Sequence, residues 1–278
     1  MDRLSSTQAF LCASFLGATV TLLSMKIFAA NTPESAKDQK SQCTDQSYEV
    51  GSPNSKKVKL YGDPQATCTR KVIQLFEEKN FSFDFQIISL KEMDQKDPEY
   101  MKKQPFGRVP LVEVSDGFSL YESQAIIRYF NEVLTGYDII PKTPVDRANM
   151  EKWISIYSSY FKSPQHKIYK ERTLKTRYER GGPCDEDIVK SAVIELEPIL
   201  DVMEKQLATT KYLACEEFTL ADLLFGPDFG TVASQNEVEE LICKRENVRR
   251  WWNLVKGRPA YIKACEYHKL TKKAAKLV

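Results

Sequence analysis

Strands and helices alternate between Lys57 and Val133 in an order that few folds accommodate. A first strand and helix lead back to a second strand, and a hairpin and a further helix follow. This order, β-α-β-α-β-β-α, predicts a compact α/β domain with a mixed sheet over residues 57–135. The predicted strands are Val58–Tyr61, Phe81–Leu90, Leu111–Val114 and Phe118–Tyr121, and the predicted helical stretches are Thr69–Lys79, Lys91–Lys103 and Glu122–Val133.

The chain beyond Gly136 has a different character. Pro141 and Pro144 mark a linker over residues 136–145, and the longer apolar patterns after it have helical spacing. Thr219 and Asp222 precede one of these runs with the spacing of a capping box, in which each side chain bonds the other residue's backbone amide. The sequence therefore predicts an all-helical second domain over residues 146–278.

An uncharged apolar run, Ala9–Met25, lies near the start of the chain. It is shorter than the ~20 residues that span a bilayer and longer than the roughly 7–15 of a secretory signal core. The run predicts a signal anchor within residues 1–30, with a cleaved signal peptide or a transit peptide as alternatives. Residues 31–56 are polar and have no apolar period, which predicts a flexible tether.

The charges that flank this run predict its orientation. Lys26, Lys37 and Lys40 follow the run, whereas Arg3 is nearly alone before it. Because positive flanks tend to stay in the cytosol, we expect a membrane-associated protein whose globular part faces the cytosol. The lumen of the secretory pathway is the alternative location.

Composition argues against two classes of function. The net charge is +2, and the chain has no polybasic stretch of the kind that binds nucleic acid. Its 7 cysteines and 2 histidines form neither a CxxC pair nor a Cys/His cluster. We therefore expect no nucleic-acid partner and no metal site.

Five stretches of the two predicted domains together match a known pattern: "QPFGRVPLVE", "LYESQAIIRYF", "KYLACEEFTLADLL", "GRPA" and "YGDPQATCTRKVIQLFEEKNFSFDF". The first four resemble the glutathione S-transferases, and the last is similar to the start of their phi-class members. The resemblance covers about Val58 to Cys265. It implies a thioredoxin-like domain that binds glutathione and an all-α domain that binds a hydrophobic small molecule. It also implies a homodimer, with glutathione as co-substrate and no other cofactor.

Two dipeptides, Val109-Pro110 and Glu122-Ser123, fit the chemistry of a bound γ-glutamyl peptide. Pro110 holds Val109 extended, and a cis bend at this point exposes backbone groups that can pair with the cysteinyl part of glutathione. Ser123 begins a helix, and a helix N-terminus suits the γ-glutamyl carboxylate. Glu122 is the adjacent acid for the γ-glutamyl amine.

Three further polar residues are candidates for the carboxylates of glutathione. The resemblance places a basic or amide residue for the glycyl carboxylate at Gln95 and Lys96. Arg108 matches a family position that often carries Gln or Lys, and it is a cation for either carboxylate.

The turn before the first helix departs from the family pattern. The resemblance implies a serine at Ala66, whose hydroxyl would bond the glutathione sulfur and stabilise its thiolate, and alanine has no such donor. Thr67 and Cys68 follow at a helix N-terminus, which favours an anion. Three functions stay open: conjugation of glutathione to hydrophobic electrophiles with Thr67 in the role of the serine and low activity, a non-catalytic carrier of hydrophobic molecules, or a weak thiol-transferase or peroxidase that uses Cys68.

Aromatic residues recur in the stretch "WISIYSSYFKSPQHKIYK" of the second domain. Tyr157, Tyr160, Phe161 and His166 are predicted on a helix that faces the cleft. Aromatic walls suit a promiscuous apolar site, so Tyr160 and Phe161 are predicted to line the hydrophobic pocket.

Overall fold

The computed structural model of this 278-residue chain describes residues 58–115, 117–178 and 181–270. The predicted anchor, residues 1–30, and the predicted tether, residues 31–56, lie outside these ranges. Within them, no helix combines the length and the apolar composition needed to cross a bilayer. The cysteines inside the same ranges carry free thiols.

Four strands form one mixed sheet in the order β2-β1-β3-β4. The central strand β1 runs parallel to β2 and antiparallel to β3, and β3 and β4 form a hairpin. The predicted mixed sheet is confirmed. The strands are β1 (Val58–Gly62), β2 (Asp84–Ile87), β3 (Leu111–Val114) and β4 (Ser119–Tyr121).

Two amphipathic helices, α1 (Thr67–Glu78) and α3 (Ser123–Val133), pack together and share a core with β1. Their bounds agree with the predicted helices to within two residues. A short helix, α2 (Pro98–Met101), lies between β2 and β3 and is much shorter than the predicted helical stretch Lys91–Lys103. β2 likewise covers only the middle of the strand predicted at Phe81–Leu90.

The second half of the described chain is helical, as predicted. From Pro144 to Tyr178 the helix is continuous, but it passes through two π-helical segments, Tyr157–Phe161 and Lys170–Leu174. The helices are α4 (Pro144–Ile156), α5 (Lys162–Tyr169), α6 (Lys175–Tyr178), α7 (Glu186–Leu207), α8 (Leu220–Val232), α9 (Asn236–Cys243), α10 (Glu246–Lys256) and α11 (Pro259–Glu266).

The predicted capping box begins α8. Asp222 accepts a hydrogen bond from the backbone amide of Thr219 at 2.9 Å, and both halves of the box are present. The other oxygen of Asp222 accepts from the amide of Leu213 at 3.0 Å and from the indole of Trp251 at 2.8 Å. Burial raises the pKa of this carboxyl even though these donors favour its ionised form. Asp222 thereby joins α8, the loop before it and α10.

Helix α1 connects the two halves of the molecule, because it packs against α8 and α11 as well as against α3. A buried ion pair joins Lys71 of α1 to Asp228 of α8 at 2.8 Å. A second pair joins Glu78, at the other end of α1, to Arg258 at 2.7 Å. The N-terminus of α1 is therefore held at a fixed position beside the helical half.

Candidate active site

A cavity of about 540 Å³ lies at the N-terminus of α1. One wall comes from the first half of the chain, and the opposite wall comes from the helical run between Tyr157 and Tyr178. Most of the residues predicted from the sequence converge here. Those that line the cavity are Ala66, Thr67, Cys68, Gln95, Arg108, Val109, Pro110, Glu122 and Ser123.

The loop before β3 carries the predicted cis bend, and the peptide bond between Val109 and Pro110 is cis. Hydrogen bonds from α2 and from Gln104 stabilise the loop. The Tyr100 hydroxyl donates to the carbonyl of Arg108 at 2.7 Å. The amide of Arg108 donates to the side chain of Gln104 at 3.1 Å. The backbone of Val109 is thus presented to the cavity by a loop with fixed partners.

Two helix N-termini meet at the cavity, and neither has a side-chain cap. Ala66 is the N-cap of α1, and Glu122 is the N-cap of α3. The leading amide groups of both helices are therefore available to an anionic ligand. Glu122 has φ of 70° and ψ of 108°, a conformation that is costly for a residue with a side chain. Such strain is characteristic of positions that serve a ligand.

The three candidates for the glycyl carboxylate have different surroundings. Gln95 lines the cavity with 8% exposure, and its side-chain oxygen has no partner among the described residues. The guanidinium of Arg108 belongs to an exposed residue of the same wall. Lys96 lies outside the lining, where its ammonium group donates to the carbonyl of Phe106 at 3.3 Å. Gln95 and Arg108 therefore line the cavity, whereas Lys96 does not.

Cys68 faces the cis-proline loop. Its thiol donates to the carbonyl of Val109 at 3.1 Å. Burial raises the pKa of this thiol, and the positive charge of Lys71 opposes only part of that rise. A reactive cysteine needs a low thiol pKa, so Cys68 has the environment of a protonated packing residue.

A cluster of charged side chains around the buried residue Asp228 lies next to the cavity. One oxygen of Asp228 accepts from Lys71 at 2.8 Å, from Lys162 at 2.6 Å and from the hydroxyl of Tyr157. Burial raises the pKa of Asp228, but the charges of Lys71 and Lys162 outweigh that effect and hold it below its ordinary value. Burial also lowers the pKa of Lys71, and the carboxylate of Asp228 opposes this shift.

The sequence analysis did not identify this group, although each member left a signal. Lys71 stands inside the apolar run of α1, and Asp228 stands inside the apolar run of α8. Each charge occupies a buried position, with exposures of 4% and 0% for the two side chains. Two opposite charges at core positions indicate a buried pair, but they are 157 residues apart and spacing alone does not join them.

The predicted pocket residues Tyr160 and Phe161 are not part of this cavity. Tyr160 is 64% exposed and lines a separate surface groove with Ile156 and Pro198. Phe161 is fully buried against Phe225, so it belongs to the core. The π-helical segment Tyr157–Phe161 changes which side chains of this helix share a face. Of the four residues predicted to face the cleft, Tyr157 and His166 line the cavity, together with Lys162, Tyr169, Leu174 and Tyr178.

Comparisons with known proteins agree with this architecture. Residues 67–133 match the family described as "Glutathione S-transferase, N-terminal domain", and residues 150–259 match "Glutathione S-transferase, C-terminal domain". Glutathione S-transferase F11 of Arabidopsis thaliana is 35% identical over 212 residues, which cover 75% of this chain and 97% of the relative. Glutathione S-transferase F12 of the same plant is 34% identical, over 74% of this chain and 96% of the relative.

A solved structure leads to the same family. Glutathione transferase F7 from Populus trichocarpa superposes with a TM-score of 0.72 at 31% identity, over 77% of this chain and all of that one. The α/β half is accordingly thioredoxin-like, and the second half is the helical domain that accompanies it. The chain therefore belongs to the glutathione S-transferase family and resembles its phi class.

Proposed function

We propose that this protein binds reduced glutathione in the cavity at α1 and bonds the glutathione sulfur to a small electrophile. The observation that supports this most strongly is the convergence of two uncapped helix N-termini and the cis-proline loop on one cavity. Glutathione has two carboxylates, an amine, an extended backbone and a thiol. The lining offers chemically matched partners for the carboxylates, the amine and the backbone, and a helix N-terminus for the sulfur.

The proposed binding mode follows the wall from α3 to α1. The N-terminus of α3 with Ser123 takes the γ-glutamyl carboxylate, and Glu122 takes the amine. The backbone of Val109 pairs with the cysteinyl part. Gln95 and Arg108, which both line the cavity, take the glycyl carboxylate through their N–H donors. The sulfur then lies at the N-terminus of α1.

The proposed reaction is slow, because Ala66 offers no hydroxyl to the sulfur. Thr67, the first residue of α1, directly follows Ala66, carries a hydroxyl and also lines the cavity. The α1 dipole and the buried Lys71 add positive potential on the same side. The thiol loses its proton to solvent, and the thiolate attacks the electrophile.

One alternative function is supported by the same observation. A cavity that binds glutathione without activating it suits a carrier of small molecules, and Ala66 favours this reading. The redox alternative has less support, because Cys68 donates its thiol to Val109 and has a raised pKa. A chloro-aryl conjugation assay separates a transferase from a carrier.

Thermal unfolding of the full-length protein tests glutathione binding. Millimolar glutathione should raise Tm, since a ligand that binds only the folded state stabilises it. Ser123→Ala should weaken binding by about 1–3 kcal/mol, because one carboxylate partner is lost. The matched control is Ser191→Ala on the exposed face of α7, which should bind like the wild type. No shift in the wild-type Tm would contradict the site.

We also propose a homodimer, as the family resemblance implies. Size-exclusion chromatography with light scattering tests this state directly. A monomer at micromolar concentration would contradict it.

A further inference from the structure

The helical wall of the cavity is aromatic and basic. Three tyrosines, Tyr157, Tyr169 and Tyr178, lie here with Lys162 and His166. Among the described residues that line the cavity, the acidic side chain is Glu122, which belongs to the opposite wall. The wall that remains for the second substrate is therefore not simply hydrophobic.

The charged group behind this wall has more positive than negative charge. Lys71 and Lys162 both donate to the same oxygen of Asp228, so two ammonium groups share one carboxylate. The second oxygen of Asp228 has no partner within the described part of the chain. With all three groups ionised, the cluster has a net charge of +1.

Lys162 is the member of this cluster that a ligand can reach. Its side chain is 40% exposed, whereas that of Lys71 is 4% exposed. The Lys162 ammonium group donates to Asp228 at 2.6 Å and to the side chain of Gln165 at 3.3 Å. An ammonium group has three donors, so one remains for a ligand.

His166 lies on the same wall, and the surrounding charges shift its pKa. Burial lowers its pKa, and the charges of Lys162, Lys170 and Arg108 lower it further against the opposing charge of Asp228. The imidazole is therefore neutral near pH 7 and does not compete with Lys162 for an anion. Positive charges on both sides of the cavity attract anionic ligands and repel cationic ones.

Glutathione itself does not use Lys162 in the proposed binding mode. Its carboxylates are assigned to α3 and to the Gln95 side, both on the opposite wall. We propose that the electrophilic co-substrate carries an anionic group, such as a carboxylate, that binds the Lys162 ammonium group while its aromatic body contacts the tyrosines. This inference rests on the proposed conjugation, and it replaces a purely hydrophobic co-substrate with an aromatic anion.

A pair of matched electrophiles tests the inference in the full-length enzyme. The probes are 4-chloro-3-nitrobenzoate and 4-chloro-3-nitrobenzamide, which have similar shapes and differ by one negative charge. With either probe the glutathione sulfur bonds to the ring carbon, chloride leaves with the electron pair, and the thiol proton goes to solvent. Each kcat/KM is divided by the uncatalysed rate constant, which removes the difference in intrinsic reactivity. We expect the benzoate to be favoured about tenfold, as for one additional charge-assisted contact.

Lys162→Gln should remove this preference, because it should lower kcat/KM for the benzoate about tenfold more than for the benzamide. The control is Lys167→Gln, on the same helix but paired with Glu195 at 2.8 Å on the exposed side, and its preference should match the wild type. An equal loss of rate with both probes would show that Lys162 acts on the sulfur, and it would overturn the inference. Equal wild-type rates with both probes would also overturn it, while leaving the proposed conjugation intact.

A binding measurement keeps the inference testable if the protein is a carrier. The two glutathione conjugates are prepared chemically, and their Kd values are measured by titration calorimetry without turnover. We expect the conjugate with the carboxylate to bind about tenfold more tightly. If the enzyme forms neither conjugate but binds the carboxylate conjugate more tightly, the proposed conjugation is wrong and the proposed anion site at Lys162 is supported. Equal Kd values would overturn the anion site.

Discussion

Among single residues, Ala66 limits the proposed reaction most. It is the N-cap of α1, lines the cavity where we propose that the sulfur binds, and has no hydrogen-bond donor in its side chain. A hydroxyl aimed at an anion is worth about 2–4 kcal/mol, so Ala66→Ser should raise kcat roughly 30- to 900-fold. The pKa of the bound glutathione thiol should fall, while the Kd should change little because the carboxylate contacts lie elsewhere. Thiolate absorbance against pH and steady-state kinetics measure both effects.

Two neighbouring variants complete this comparison. Thr67→Ala should abolish the remaining activity if Thr67 has taken the role of the serine. Cys68→Ser is the control, because serine keeps a donor toward the carbonyl of Val109, which the thiol contacts at 3.1 Å. Activity that survives Thr67→Ala would instead assign thiolate stabilisation to the α1 dipole and to Lys71.

Residue identities predicted one wall of the site better than the other. Val109, Glu122 and Ser123 were found because local chemistry determines their position: a cis bend and a helix start. On the helical wall, Tyr157 and His166 line the cavity as predicted but Tyr160 and Phe161 do not, since the π-helical segment Tyr157–Phe161 changes the angle between successive side chains. Spacing in the sequence does not reveal a π-helical segment.

At the scale of elements, α8 depends on a buried cap. Asp222→Ala would leave the amides of Thr219 and Leu213 and the indole of Trp251 without their acceptor. Each buried donor without a partner costs about 1–3 kcal/mol, so we expect a loss of at least about 3 kcal/mol. Urea denaturation gives the free energy of unfolding for the comparison.

An exposed cap in the same chain is the control for this prediction. Thr143 is the N-cap of α4, and its hydroxyl donates to the carboxylate of Asp146 at 2.7 Å. Asp146→Ala should cost about 1 kcal/mol or less, because water replaces the lost partner. Equal losses in the free energy of unfolding for Asp222→Ala and Asp146→Ala would show that burial does not increase the contribution of a cap to stability.

Most helices and strands could be predicted because the spacing of apolar residues and the residues that cap helices are signals found within a short stretch of sequence. α1 and α3 have the amphipathic period, and Thr219 with Asp222 gave the start of α8. The strand predicted at Phe81–Leu90 was too long. Side-chain alternation continues beyond the four paired residues of β2, because Phe81 and Phe83 still pack on Phe76 with ring centroids 5.3 and 4.9 Å away.

At the scale of the whole molecule, we propose that residues 1–30 attach the protein to a membrane. The proposal is based on the uncharged run Ala9–Met25. Full-length protein should stay in the membrane pellet after carbonate extraction, and deletion of residues 1–30 should release it. Full-length protein in the supernatant would contradict attachment. Protease protection of the globular part would distinguish a lumenal from a cytosolic location.

The buried pair of Lys71 and Asp228 makes stability depend on pH. The pKa of Asp228 is lower in the folded state than in the unfolded state, so its ionised form adds stability above about pH 4. This contribution is lost as the pH falls toward the folded pKa. Asp228→Asn should cost about 3–5 kcal/mol near pH 7, because two lysines lose their counter-charge. The difference from the wild type should shrink in acid.

Denaturation at several pH values measures this dependence. Asp187→Asn is the control, since Asp187 is 95% exposed and its contact with Lys190 is 3.6 Å long. Exposed pairs contribute about 0–1 kcal/mol, so this variant should resemble the wild type at every pH. A constant difference between Asp228→Asn and the wild type down to acid pH would contradict the assigned pKa direction.

The position of this ion pair also has a consequence for cooperativity. Lys71 belongs to the thioredoxin-like half and Asp228 to the helical half, and both are enclosed where the halves meet. If either half opened alone, it would leave an unpaired charge in the apolar interior of the other, which is far more costly than exposing the pair to water. Partial unfolding is therefore suppressed, and the two domains are expected to open and close as one thermodynamic unit.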